Sequence, residues 1–269
     1  MFRTPSRGLV PLFLALVFLL CGGASAEPGS VLARIAERGT LILGTSGNMP
    51  SMSQADESGR VRGFDIDLAR GMAHMMGVKL ETRIMQFSEL LPALASGQVD
   101  VVISNVTITP RRNMQVAFVG PYLRSGKCIV TRDEALAKAK ESSTNLNTQE
   151  TRLAVLDGST SVDVAHELFP DATLIKVDDY GRAADLVKRD EANGLLTDYP
   201  VCLAILKADP DAGFVSVFSL LTYEPIGIAL PAEDALFINW TENFLDRMEG
   251  TNGLKELGER WFGKVKLVR

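Results

Sequence analysis

The residues with the clearest chemical potential are polar or basic and follow a short apolar run from Val99 to Ile103. They are Ser104, Asn105, Thr107, Arg111 and Arg112. Hydroxyl and amide groups can donate hydrogen bonds to an anion, and a planar guanidinium matches a carboxylate with two parallel hydrogen bonds. Thr109 and Pro110 favour a helix start, which would add free backbone N–H groups. The stretch predicts a carboxylate site; the alternative is an ordinary strand and capped turn with solvated arginines.

A second set of candidate groups lies later in the chain. The turn from Asp157 to Ser161 falls between a predicted strand and a predicted helix, where hydroxyl and N–H groups can hold an anion. Asp198 follows the apolar strand 194–197, and its carboxylate could receive an ammonium group. The alternative is that Asp198 only caps the next helix. Taken together, Arg112 and Asp198 would recognise a zwitterion, with its carboxylate on the arginine and its α-ammonium on the acid.

The elements that would position these groups alternate between strand and helix. A first series runs from Leu41 to Ile103 and a second from Leu153 to Lys207, with a polar stretch from Lys138 to Thr151 between them. Such alternation predicts mainly parallel sheets flanked by helices. Ligands bind beyond the carboxyl ends of the strands in such sheets. The sequence therefore predicts an α/β protein with two lobes and a crevice at the strand ends.

The first 26 residues have the features of a secretory signal peptide. Arg3 and Arg7 precede an apolar run from Leu9 to Leu20, and Ala24 to Ala26 form a small-x-small cleavage site. The apolar run is too short to span a bilayer. Removing the two arginines changes the formal net charge from −5 to −7. An acidic surface argues against binding to nucleic acid and against a polybasic membrane anchor.

Two cysteines and two histidines remain after this predicted processing. Cys128 and Cys202 have neither a metal-like nor a redox-motif spacing. We expect two buried thiols that act as small hydrophobic side chains, with a single disulfide as the alternative. His74 and His166 lie in predicted helices with no other Cys or His at ligand spacing. No metal and no cofactor is therefore expected.

Several motifs follow one another along the whole predicted mature chain. They are Gly44–Gly47, Gly63–Ala69, Leu90–Leu94, Thr107–Arg112, Phe118 with Pro121–Tyr122, Gly158–Thr160 and Trp261–Gly263. In this order they resemble the periplasmic solute-binding proteins of polar amino-acid ABC importers, family 3 of the bacterial extracellular solute-binding proteins. The resemblance implies the type II Venus flytrap fold, in which two lobes close on a ligand.

The resemblance also implies how the chain is divided. Lobe one would comprise residues 27–124 and 222–269, and lobe two residues 125–221, after a signal peptide at 1–26. Two hinge strands near 122–127 and 220–225 would join the lobes. A monomer in the periplasm that delivers its ligand to an inner-membrane ABC permease is the expected arrangement.

Matching positions in this family imply roles for individual side chains. Arg112 would grip the ligand α-carboxylate, with Asn105 and Thr107 as neighbouring donors from the same lobe. Thr160 would contact the carboxylate from the other lobe, and Asp198 would take the α-ammonium. Arg111 falls where relatives carry a solvent-facing residue.

Three further positions would form the wall beside the ligand side chain: Ser46, Met49 and Phe87. Relatives often carry an aromatic residue at the position of Met49, so this chain would offer an adaptable apolar contact there. Binders of basic amino acids place an acid at the position of Ser46. Nothing obvious would pair a buried cationic side chain. We therefore expect an amino acid with an uncharged polar or apolar side chain, or a related small acid.

Two other functions fit the same scaffold. The segment Pro121–Lys127 also resembles the periplasmic cyclohexadienyl dehydratases, which act on prephenate or arogenate. Those enzymes carry a glutamate general acid where this chain has Val162, and losing such a proton donor costs about 10² to 10⁴ in rate. A binding protein without enzymatic activity is therefore expected. The remaining alternative is a sensor lobe within a larger receptor complex.

Overall fold

A computed structural model describes residues 30–133, 146–217 and 222–263. The predicted signal peptide lies outside these residues. In the described ranges, no helix is long and apolar enough to cross a membrane.

Thirteen strands and eight α-helices make up the described part of the chain. The strands are β1 (Thr40–Thr45), β2 (Asn48–Met49), β3 (Ser53–Ala55), β4 (Val61–Arg62), β5 (Lys79–Ile84), β6 (Val101–Val102), β7 (Ala117–Ser125), β8 (Lys127–Thr131), β9 (Arg152–Leu156), β10 (Thr173–Val177), β11 (Gly194–Asp198), β12 (Val215–Val217) and β13 (Glu224–Leu230). The helices are α1 (Val31–Arg38), α2 (Phe64–Met76), α3 (Leu90–Ala95), α4 (Thr160–Leu168), α5 (Tyr180–Lys188), α6 (Tyr199–Ala208), α7 (Ala235–Gly250) and α8 (Gly253–Phe262).

Two five-stranded sheets define the two lobes. The sheet of lobe one has the order β5-β1-β6-β13-β7, and that of lobe two has the order β10-β9-β11-β8-β12. In each sheet three strands run parallel, and the other two pair antiparallel at one side. A small antiparallel sheet of β2, β3 and β4 is part of lobe one. The predicted two-lobed α/β architecture is confirmed, while the exact lobe boundaries stay a prediction.

The central strands of lobe one, β1 and β6, are buried, whereas the edge strand β5 is largely exposed. Leu41 and Leu43 on β1 are fully buried, as are Val101 and Val102 on β6. Apolar runs of this kind suit parallel strands with two covered faces. The hydrophobic positions of the sequence therefore place the carboxyl ends of β1 and β6 side by side, and the two strands pair directly.

The chain passes between the lobes through a pair of antiparallel strands. β7 and β13 pair along their length, with Ser125 opposite Glu224 and Arg124 opposite Pro225. β8 begins only two residues after β7 ends and belongs to the sheet of lobe two. Short connections of this type let two lobes move as units about a few residues.

The predicted helix after Thr109 and Pro110 is wrong in length. Thr109 Oγ1 accepts a hydrogen bond from the Arg112 N–H group at 3.2 Å, so the capping contact forms. Only a three-residue 3-10 turn follows, Arg112–Met114, before the chain enters β7. The cause is Val116, which is fully buried and directs the chain into the sheet. No α-helix N-terminus is present at this point to bind an anion.

The expectation of two free buried thiols is also wrong. Cys128 and Cys202 form a disulfide with a Cα–Cα distance of 6.7 Å. Both residues are fully buried, and the bond joins β8 to α6. The helix packs against the strand and brings together two cysteines that are 74 residues apart in sequence.

We expect the Cys128→Ala/Cys202→Ala double variant to lose about 4 kcal/mol of unfolding free energy. A bond that closes a 74-residue loop removes much of the conformational freedom of the unfolded chain. Urea unfolding of the oxidised protein and the double variant, monitored by circular dichroism, measures this difference. Equal midpoints for the two proteins would contradict a stabilising disulfide.

Candidate ligand site between the lobes

Asn105 connects the two lobes at the carboxyl end of β6. Its backbone has a φ of 50°, in the left-handed region, which asparagine tolerates better than most residues. Its N–H group donates to Asp65 Oδ2 at 2.7 Å. Its side-chain Nδ2 donates to Asp198 Oδ2 at 2.9 Å, across the junction. Asp65 thus holds the strained backbone of Asn105, and the side-chain amide of Asn105 points toward Asp198 in lobe two.

Asp65 supports Asn105 from within lobe one. This residue lies in the first turn of α2, and Tyr122 donates its hydroxyl hydrogen to Asp65 Oδ1 at 2.7 Å. Complete burial raises the pKa of Asp65 to about 7, although the hydrogen bonds from Tyr122 and Asn105 oppose the shift. Burial also raises the pKa of Tyr122. Asp65 therefore changes its charge near neutral pH, directly behind the residue that bridges the lobes.

Arg112 lies at the same junction. Its Nη1 atom donates to the Thr107 carbonyl at 2.8 Å, and its Nη2 atom donates to the Gly158 carbonyl in lobe two at 3.0 Å. The guanidinium lies over the Phe87 ring, 5.7 Å from its centroid. Burial lowers the pKa of Arg112, and the nearby acids Asp198, Glu224 and Asp163 oppose the shift. Arg111 is exposed, as predicted.

Asp198 faces into the junction and does not cap its helix. It occupies the N-cap position of α6, but its side chain makes no capping hydrogen bond. Its Oδ1 atom lies 2.7 Å from Lys127 Nζ, and the Lys127 side chain is completely buried. Burial raises the pKa of Asp198, while the charge of Lys127 and the hydrogen bond from Asn105 oppose the shift. The simple capping role considered from the sequence is therefore wrong.

Glu224 on β13 receives hydrogen bonds from both lobes. Its Oε2 atom accepts from Thr107 Oγ1 at 2.8 Å and from Thr160 Oγ1 at 3.0 Å. Its Oε1 atom accepts from Thr222 Oγ1 at 2.8 Å. Lys127 Nζ lies 3.7 Å from Glu224 Oε2. Thr107 and Thr160, which the sequence assigns to opposite lobes, thus meet on one carboxylate.

The turn that carries Gly158 approaches lobe one closely. Gly158 has a φ of 72°, and a Cβ atom at this position would lie 2.9 Å from Ser88 Cβ. Glycine is therefore required both for the backbone conformation and for the contact. Ser159 then caps α4 by accepting a hydrogen bond from the Ser161 N–H group. This cap positions Thr160 in the first turn of the helix.

Two of the predicted wall residues, Ser46 and Phe87, contact other predicted site residues, and the third, Met49, lies in the hydrophobic core. The Ser46 N–H group donates to Ser104 Oγ at 3.0 Å, and Ser104 Oγ donates to Ser46 Oγ at 3.2 Å. These serines occupy the carboxyl ends of neighbouring strands. Phe87 lies under Arg112. Met49 is buried in the same hydrophobic cluster as Phe87.

Three charged residues of the junction are absent from the sequence prediction: Asp65, Lys127 and Glu224. In the sequence Lys127 is only the last residue of the Pro121–Lys127 segment. Its position opposite Asp198 depends on the pairing of β8 with β11 and could not be predicted. Glu224 is a single acid before a proline, which gives no pattern to detect. Within the described ranges, no group of three His, Cys, Asp or Glu residues could hold a metal ion.

Two α/β lobes, joined by paired strands and meeting at buried charged side chains, define a hinged solute-binding protein. The chain belongs to the bacterial extracellular solute-binding proteins, family 3, whose model matches residues 41–264. This confirms the family and the type II two-lobed fold that the motifs indicate.

The relatives of this chain include amino-acid-binding proteins and an enzyme. The ABC transporter glutamine-binding protein GlnH of Bacillus subtilis is 26% identical over 95% of this chain and 96% of its own length. A binding component assigned to an ABC transporter of Wolinella succinogenes, solved in complex with lysine, superimposes with a TM-score of 0.80. It is 34% identical over 85% of this chain and 98% of that chain. A cyclohexadienyl dehydratase of Pseudomonas aeruginosa is 34% identical over 44% of each chain.

We expect the free energy of unfolding to fall as the pH rises from about 5 to 7, in part through Asp65. Its folded pKa of about 7 lies above the ordinary value of 3.8. The folded protein therefore binds this proton more tightly over that range, and the stabilisation is lost as the pH rises through 7. The contribution is at most about 1.4 kcal/mol per pH unit.

Urea unfolding of the wild type and Asp65→Asn at pH 5, 6 and 7.5 measures this contribution. The variant keeps the shape of the side chain but stays neutral, so its stability should depend less steeply on pH. Two pH profiles that run parallel would show that Asp65 does not titrate in this range.

Proposed function

We propose that this protein is a periplasmic receptor that binds a small amino acid with an uncharged side chain and delivers it to an ABC importer. Membership of the family and the relatedness to amino-acid-binding components of ABC transporters support the general role. The choice of a zwitterion with a neutral side chain rests on the charges buried between the lobes.

The balance of these charges is the observation that carries the proposal. Arg112 and Lys127 supply two positive charges, and Asp198 and Glu224 supply two negative charges. A buried ion without a partner is costly, because the interior solvates charge poorly. An α-amino acid with a neutral side chain adds one charge of each sign and keeps the site neutral. A cationic side chain would add an unbalanced charge.

Individual contacts support the same ligand. Among the described residues, the Arg112 guanidinium donates its hydrogen bonds to two backbone carbonyl oxygens, so a carboxylate would give it a stronger, charged partner. Asn105 Oδ1 is a buried acceptor that has no hydrogen-bond partner among the described residues. An α-ammonium between Asn105 Oδ1 and Asp198 would satisfy it. Ser46 and Phe87 would face the ligand side chain.

Hinge closure would couple this recognition to a change of shape. Arg112 belongs to lobe one and Asp198 to lobe two, so a zwitterion that touches both favours the state in which the lobes meet. The proposed receptor acts as a monomer and presents the closed state to the inner-membrane permease.

The dehydratase remains the second candidate, since one relative of that name matches part of the chain. Val162 argues against it. This residue is half-buried and packs against the apolar core of lobe two, and its side chain cannot donate a proton. Incubation with prephenate or arogenate, followed by the appearance of the aromatic product, tests this candidate. Turnover by the purified protein that is absent after heat inactivation, and that a contaminating enzyme does not explain, would favour the dehydratase over the receptor.

We expect Arg112→Ala to weaken binding of the best amino-acid ligand by about 30-fold to several thousand-fold. Such a loss corresponds to about 2 to 5 kcal/mol, the cost of leaving a buried ligand charge without its partner. Isothermal titration calorimetry against a panel of the common amino acids identifies the ligand and measures the loss.

The neighbouring Arg111→Ala variant provides a matched control. Arg111 is exposed, so its removal changes the net charge by the same amount without touching the junction. Its affinity should stay within about twofold of the wild type. Equal losses in both variants would show that net charge, rather than a specific contact, governs binding.

A further inference from the structure

The acid expected to receive the ligand ammonium already binds an ammonium group of the chain. Lys127 and Asp198 are opposite residues in the antiparallel pair of β8 and β11. Lys127 Nζ lies 2.7 Å from Asp198 Oδ1, and only 0% and 6% of the two side chains is exposed. The other oxygen of Asp198 accepts from Asn105. Each oxygen of this carboxylate therefore has a strong donor within the chain.

The donors expected to hold the ligand carboxylate already bind a carboxylate of the chain. Thr107 from lobe one and Thr160 from lobe two both donate to Glu224 Oε2, at 2.8 and 3.0 Å. The two threonine hydroxyl oxygens are themselves 3.3 Å apart. The Glu224 side chain is 5% exposed, so its carboxylate depends on these donors for solvation.

We propose that Lys127 and Glu224 act together as an internal surrogate of the amino-acid ligand. The Lys127 ammonium takes the place of the ligand ammonium on Asp198, and the Glu224 carboxylate takes the place of the ligand carboxylate on the two threonines. This inference rests on the proposed receptor function and adds two residues that set its affinity.

Binding of the ligand then becomes an exchange of partners. A second ammonium beside Lys127 would place two like charges a few ångströms apart in a buried site, where their repulsion is much stronger than in water. Lys127 lies 3.7 Å from Glu224 Oε2 and can transfer its contact to that carboxylate. The ligand takes Asp198 and the threonines, while Lys127 and Glu224 neutralise each other. No buried charge is left without a partner.

The surrogate has a cost in affinity. Its contacts hold the two lobes together without help, and the ligand binds only after these contacts are released. The apparent affinity is lower than the intrinsic one by the fraction of molecules in which the surrogate is released. If that fraction is about one in ten, removing the surrogate raises the affinity about tenfold.

The test is the double variant Lys127→Met/Glu224→Gln. It removes both surrogate charges, keeps the net charge and nearly keeps the side-chain volumes. Its matched control is Lys188→Met/Asp209→Asn, the same chemical change at an ion pair on the partly exposed surface of lobe two, with an N–O distance of 2.6 Å. Circular dichroism and thermal unfolding verify that both proteins are folded. Calorimetry uses the amino acid that the wild type binds most tightly.

We expect the surrogate variant to bind this amino acid at least about tenfold more tightly than the wild type and the control variant. Unchanged or weaker binding by the folded double variant overturns the surrogate. Should the double variant fail to fold, Lys127→Gln/Glu224→Gln decides the question, because it also removes both charges but keeps polar groups that can form hydrogen bonds in the buried site. This second double variant should gain affinity, and no gain overturns the proposal.

The results separate the surrogate from the function on which it rests. Amino-acid binding that is lost in Arg112→Ala but not improved in the double variant supports the receptor and overturns only the surrogate. If neither the wild type nor any variant binds an amino acid, both the receptor function and the surrogate are overturned. A small-angle scattering experiment without ligand adds a second readout, in which the double variant has the larger radius of gyration.

Discussion

The structure depends on the balance of four charged side chains that are buried or half-buried where the lobes meet. Arg112, Lys127, Asp198 and Glu224 come from both lobes and from the strand between them. Each ion alone would destabilise the closed arrangement, because its transfer from water costs more than a single hydrogen bond returns. Together they form an arrangement in which each charge has an opposite neighbour or several dipoles. An unpaired charge at the junction therefore disfavours contact between the lobes.

The pairing of the strands that carry these charges determines where they lie. The pairing of β8 with β11 sets Lys127 opposite Asp198, and the pairing of β7 with β13 sets Glu224 at the crossing between the lobes. The disulfide between Cys128 and Cys202 fixes α6, which begins directly after Asp198, against the strand of Lys127. Charge recognition and mechanical coupling thus use the same backbone segments.

The sequence predicts the fold well, because its local patterns are strong. The apolar run from Val99 to Ile103 contains β6, and the predicted apolar strand 194–197 matches β11 to within one residue. The sequence also indicates five candidate site residues that the structure brings to one junction: Arg112, Asn105, Thr107, Thr160 and Asp198. Their roles toward a ligand stay predictions.

The features that the sequence did not predict depend on contacts that local sequence patterns do not encode. Lys127 becomes part of the junction only through its ion pair with Asp198, which lies opposite it on another strand and 71 positions away in sequence. The disulfide depends on the packing of a helix against that strand, and cysteine spacing does not reveal it. The helix after Pro110 fails because one buried valine, Val116, returns the chain to the sheet. In each case a tertiary contact outweighs the local preference.

A chemically edited ligand tests the central claim most directly, namely that the junction reads both charges of a zwitterion. The amino acid that binds most tightly is compared by calorimetry with its methyl ester, which lacks the carboxylate charge, and with its desamino acid, which lacks the ammonium. The account predicts that each edit weakens binding by about 30-fold or more. A desamino acid that binds as tightly as the parent amino acid would contradict it.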